Sequence, residues 1–253
     1  MRRHILIAGC TIVLSACCNY AAAELVFNDG GHHIIDYTVN TLVRVDRDTP
    51  GAGTRVDLVE GGLIQAWLDA YEDSRVNILA GRVSATVNAY GTSHITVVGG
   101  EIGGPVYCRE NSRVDISGGS MDAWVQSFNS SEVMIRGGEI KLFVEAWDNS
   151  RVTISGGTIG GRIAAVRDGL ITLAGSNFAV NGTPVAYGDF AGDYAINGML
   201  TGILANGDVL NNQFALNGPA ADITFIPEPG TILLLGLGGL GVVRRRRGNR
   251  IDS

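Results

Sequence analysis

The chain has 253 residues with 36 Gly against 6 Pro and is 45% hydrophobic, which excludes collagen-like and disordered chains and points to tight corners between strands. Its formal charge is −6, but seven of the 19 basic residues (Arg2, Arg3, Arg244, Arg245, Arg246, Arg247 and Arg250) lie in the termini. Residues 24 to 228 hold 12 basic and 24 acidic side chains, a net charge near −12 that argues against a nucleic-acid partner.

Arg2 and Arg3 precede an apolar run from Ile5 to Leu14, too short to span a bilayer and laid out as a secretory signal. Two cleavage points are open. Ala21-Ala22-Ala23 before Glu24 suits ordinary signal peptidase, whereas Leu14-Ser15-Ala16-Cys17 resembles the lipobox of bacterial lipoproteins, in which Cys17 would be lipidated. The first is favoured because Glu24 directly starts a strand-like segment, so residues 1–23 are read as a signal peptide. Three of the four cysteines (Cys10, Cys17, Cys18) fall in this segment, and the remaining Cys108 can form no intrachain disulfide with any residue of the body. A small buried residue is expected there, not a catalytic thiol.

Residues 24–53 read as an irregular N-terminal cap with strand candidates at Leu25-Val26-Phe27, Ile34-Ile35 and Leu42-Val43-Arg44-Val45. The adjacent His32 and His33 point to opposite faces of an extended chain and cannot both hold one ion without a bend, so no metal site is expected.

From residue 54 to 175 one unit of 19 residues is written repeatedly, opening at Ser74, Ser93, Ser112, Ser131 and Ser150, with a degenerate 20-residue copy from Thr54. Glycine pairs follow the later openings, at Gly99-Gly100, Gly118-Gly119, Gly137-Gly138 and Gly156-Gly157. Counted from each Ser, positions 3, 5, 10 and 14 are apolar and position 16 is small (Ala89, Cys108, Ser127, Ala146, Ala165). This alternation belongs to strands, and the glycine pair breaks any repeat helix. The expected fold is all-β, a single-stranded parallel β-helix of about 19 residues per coil, right-handed by expectation, in which equivalent residues stack into ladders. Residues 176–225, broken by Asn181-Gly182, Asn206-Gly207 and Asn217-Gly218, read as a C-terminal β cap.

Residues 226–253 contain Pro227-Glu228-Pro229, an apolar run from Thr231 to Val243, and Arg244, Arg245, Arg246 and Arg247. This order resembles the PEP-CTERM sorting signal of Gram-negative bacteria. The resemblance implies that an exosortase, a membrane-embedded cysteine protease-transferase, recognises Pro227 to Pro229 and cleaves there. The short apolar run with its Arg cluster would hold the chain in the inner membrane transiently, before delivery to the cell surface or the outside. The Ser-Arg-Val-x-Ile units also resemble other β-helical secreted proteins with this signal.

If residues alternate along the last strand of each coil, positions 13, 15 and 17 face outward. They gather Trp67, Trp124 and Phe143, then Tyr107, then Tyr71, Tyr90, Phe128 and Trp147, an aromatic wall on which an exopolysaccharide could stack its sugar rings. Mutual packing of these rings is the competing reading. A polysaccharide lyase or glycoside hydrolase is the rival function, but the outward columns concentrate no carboxylates on neighbouring coils. The expectation is therefore a non-enzymatic, secreted or surface-delivered structural or adhesive component of an extracellular matrix or biofilm. It implies no catalytic residue, metal or cofactor.

Overall fold

The computed structural model describes residues 24–47, 53–191 and 196–228. The expected signal peptide with Cys17, and everything from Pro229 onward including Arg244 to Arg247, lie outside them. The described residues form a parallel β-solenoid of about eight turns with roughly 19 residues per turn and no helix.

Each turn contributes three short strands to three faces. On the first face, Arg75–Ile78, His94–Val97 and Arg113–Ile116 stack in parallel without a register slip. On the second face the strands shrink to two residues, such as Arg82–Val83, Glu101–Ile102 and Ser120–Met121. On the third, Leu68–Ala70, Val87–Ala89, Val106–Cys108 and Val125–Ser127 follow one another. Successive rungs lie about 4.8 Å apart, so one inward residue per position becomes a continuous apolar ladder. Val76, Ile95, Val114, Val133 and Val152 make one such ladder, and all are buried, as are the residues at positions 5, 10, 14 and 16. Cys108 is fully buried in the position-16 ladder, and burial pushes its thiol up to about 11.

Two corner devices recur. The second glycine of each pair has positive φ (Gly100 at 78°, Gly119 at 79°), and a side chain on Gly100 would collide with the Gly81 carbonyl one rung below. At the other corner the opening Ser turns inward. The Ser131 hydroxyl accepts from the Phe128 amide at 3.1 Å and donates to the Cys108 carbonyl of the neighbouring rung at 2.9 Å. Ser150 repeats the pattern with the Trp147 amide and the Ser127 carbonyl. The hydroxyl thus adds a second bond to the Phe128 amide and the Cys108 carbonyl, which also bond each other across the rungs at 2.8 Å.

The parallel ladder reaches further toward the N-terminus than the repeat does. Glu24–Phe27 pairs with Leu42–Val45, His32–Ile35 with Arg55–Leu58, and Thr38–Val39 with Leu63–Ile64. Residues 24–47, expected as an irregular cap, therefore build the first turn. A rung requires apolar residues at inward positions, which Phe27, Ile35 and Val39 supply, and it does not require the repeat's corner residues. The extra residue of the next turn is absorbed between Leu58 and Leu63, where the partner strands run from Ile78 to Arg82. His32 and His33 do point oppositely: His32 bonds Asp57 on the outer face, whereas His33 tops the Val56 ladder, tilted against Phe27 at 4.6 Å and bonded to Asp29.

At the C-terminal end the chain doubles back. Ile196–Leu204 runs antiparallel to Leu170–Val180 and to Val209–Asn217. Val209–Asn217 and Asp222–Pro227 then lie parallel on the last regular turn and bring Phe214, Leu216, Ile223 and Phe225 over its core.

Candidate functional site

The outer side of the third face carries the aromatic residues read from the sequence, in two columns. Tyr71, Tyr90, Arg109, Phe128 and Trp147 form one column along the solenoid axis, and Arg44 and Arg167 reach over its two ends from neighbouring positions. Tyr71 and Tyr90 are stacked at 4.8 Å, and Phe128 and Trp147 at 6.1 Å. Arginines close the gaps, with Arg44 over Tyr71 at 4.6 Å, Arg109 over Tyr90 and Phe128 at 5.4 and 5.6 Å, and Arg167 over Trp147 at 5.8 Å. In the second column Trp124 and Phe143 stack at 5.2 Å, within 3° of parallel, and Arg162 covers Phe143. Side chains on consecutive rungs stand one rung apart, so flat rings face each other along the axis and turn their edges to solvent. Trp67 stands apart: it is 53% exposed and has no ring partner among the described residues.

Between the two columns lies a polar row that sequence reasoning did not single out. Position 15 points away from the core, yet Asp69, Asn88 and Glu145 are 7%, 5% and 1% exposed. Asn88 donates to Asp69 at 2.6 Å, and Arg109 donates to Asn88 at 2.8 Å. Gln126 and the Trp147 indole donate to one oxygen of Glu145 at 2.6 and 2.9 Å, and Arg162 engages the other. Tyr107 occupies the same row, where its hydroxyl accepts from the Trp124 indole at 3.2 Å and its ring lies 4.3 Å from Arg109. Every buried polar group of the row is thereby paired, as burial demands. Asp69 has no cation in ion-pair contact among the described residues, and its burial raises its carboxyl above the usual range against the opposing hydrogen bonds from Asn88 and Tyr71. The signal for this row was present as Asp69, Asn88, Tyr107, Gln126 and Glu145 at one-repeat intervals, but alternation tells direction and not cover.

Several other outward carboxylates are committed to neighbours. Burial would raise Asp115, but hydrogen bonds from Arg113 and His94 outweigh it and hold the carboxyl below its usual range. Asp57 is held in the same way by Arg55, Asn77 and His32. On the second face, Lys141 bonds Asp122 at 2.6 Å and Arg82 bonds Glu101 at 3.0 Å. The position-18 acids sit at the turn after each third-face strand with left-handed backbone, φ 53° at Glu72, 63° at Glu110 and 57° at Asp148. There the Glu110 carboxylate accepts the Gly91 amide one rung away. No group of three or more His, Cys, Asp or Glu that could hold a metal ion occurs among the described residues.

Of the sorting residues, Pro227 ends the last strand and Glu228 follows it. Pro227 pairs with Gly175, and the Ser176 hydroxyl donates to the Glu228 carboxylate at 3.4 Å. No curated protein and no solved structure matches the chain. A family model described as the PEP-CTERM protein-sorting motif matches residues 225–247. The motif is the recognition signal for exosortase and implies export with C-terminal membrane anchoring before processing. The chain is thus a parallel β-solenoid carrying a PEP-CTERM sorting motif at residues 225–247.

Proposed function

We propose that the processed protein is a non-catalytic, structural or adhesive component of an extracellular matrix or biofilm, with an exopolysaccharide as its partner. The observation that carries this reading is the commitment of the outer wall to itself. Apart from the exposed Trp67, the rings of the two columns stack on rings and arginines, and the buried Asp69 and Glu145 of the row between them take donors from neighbouring rungs, which favours a stiff bonded wall over a cleft with free reacting groups. A glycosidase needs two carboxylates about 5 to 10 Å apart, one with a raised pKa. Asp69 and Glu145 are four rungs apart on the third face, about 19 Å at the rung spacing. On the second face Glu101 is paired with Arg82 and Asp122 with Lys141, which holds the Asp122 carboxyl low.

A polysaccharide lyase or hydrolase is the second reading, favoured by one observation: the raised Asp69 carboxyl beside Tyr71 and the exposed Trp67. Incubation of the mature protein with polyuronates separates the two. Binding without turnover supports the matrix role. New double bonds or reducing ends that vanish in Asp69→Asn would establish the enzyme.

A further inference from the structure

The last strand, Asp222–Pro227, has two unlike halves. Asp222 to Phe225 are held on both edges, in parallel by Leu170 to Leu173 and antiparallel by Gly188 to Ala191. Ile226 and Pro227 have one neighbour each, Ala174 and Gly175. Ser176, itself fixed opposite Ile203, then donates to Glu228, while Tyr187 donates to the Gly175 carbonyl at 3.2 Å. Pro227 and Glu228 are the first two residues of the Pro-Glu-Pro triplet, so the sorting motif begins inside the folded sheet without a linker.

A protease that takes its substrate as an extended segment competes for the same backbone edge that Gly175 and Ser176 hold. We infer that the C-terminal cap latches the sorting motif: the Gly175–Pro227 pairing and the Ser176–Glu228 hydrogen bond keep it in the sheet. Exosortase acts on a minor state in which Ile226 to Glu228 have peeled away while Asp222 to Phe225 stay paired. The inference rests on the motif being the exosortase recognition signal. Where peeling is fast relative to cleavage, the processing rate is scaled by the open fraction. Two one-sided edge pairings and one part-buried side-chain bond set that fraction roughly fivefold below a free tail.

The test follows conversion of the full-length precursor in cells that carry the exosortase, by pulse-chase. Six Gly/Ser residues inserted between Ile226 and Pro227 move the motif off Gly175 and should speed conversion about fivefold. The pair Ala174→Cys and Ile226→Cys, opposite each other in the register, leaves the triplet intact and should slow conversion when oxidised and restore it on reduction. Unchanged rates in both variants would overturn the latch. Replacing the triplet (P227A, E228A, P229A) should block conversion. If conversion persisted there, the sorting reading would fall and the latch with it, a result distinct from unchanged rates in the first two variants.

Discussion

The rings of Tyr71 and Tyr90 lie 4.8 Å apart and within 9° of parallel. That separation is the rung spacing itself, so the backbone repeat sets the ring stack, and no ligand is needed to explain the aromatic column. The same geometry seats the Arg109 guanidinium between Tyr90 and Phe128, where the repeat has an Arg in place of an aromatic.

Tyr90→Ala should remove a ring that contacts both Tyr71 and Arg109, lowering the stability of the processed protein by about 2 kcal/mol. Urea titration measures the loss. If Trp124→Ala and Trp147→Ala likewise lower stability but leave binding to the matrix polysaccharide intact, the columns serve packing. Loss of binding at unchanged stability would assign them to the ligand.

Glu145→Ala should cost about 2 kcal/mol or more, because Gln126, Trp147 and Arg162 all lose their acceptor in a buried row. Arg162 is half exposed and recovers part of its hydration, so the cost stays below that of a fully buried ion pair. Glu145→Gln keeps an acceptor oxygen and should lose less, in the same denaturant titration.

Gly118→Ala should destabilise by more than about 2 kcal/mol, since the added carbon falls on the Val98 carbonyl oxygen of the rung below. The corner backbone is the obstacle, and no neighbouring side chain can move aside to relieve it.

The pH dependence should contain opposite contributions. Asp57 and Asp115 have lowered folded-state pKa values, so their stabilisation is present above the unfolded value of about 3.9 and is lost as pH falls through the folded values. Asp69 is raised by burial, so its ionisation costs stability as pH climbs from the unfolded value through the folded one. Asp69→Asn should therefore be more stable than the parent at pH 7 and lose that advantage near pH 3. Urea titrations at the two pH values check the sign.

The ladders were legible because Val76, Ile95, Val114 and Val133 recur at one spacing, and a strict period leaves little choice of fold. The first turn was not, because Phe27, Ile35 and Val39 satisfy the core without the repeat's Ser or glycine pair. The direction of the aromatic residues could be read from parity. Their stacking on one another was one of two readings, and parity alone did not choose it over a ligand, since it depends on the rotation of each ring about its own bond. The burial of Asp69 and Glu145 escaped for a related reason: an outward position on a strand is exposed only if its flanking columns are short, and here those columns hold Trp, Tyr, Phe and Arg. The left-handed turns at Glu110 and Asp148 also went unread, because the position is filled by Gly only at Gly91.

The most direct test of the stacked-rung account is a spin-label distance between Asn77→Cys and Thr172→Cys on a Cys108→Ala background. These positions occupy one outward column, five rungs apart, and should give about 24 Å. Duplicating residues 112–149, two complete repeats, should lengthen the distance to about 34 Å. A distance that stays put on duplication, or that grows by much more than two rung spacings, would contradict the solenoid.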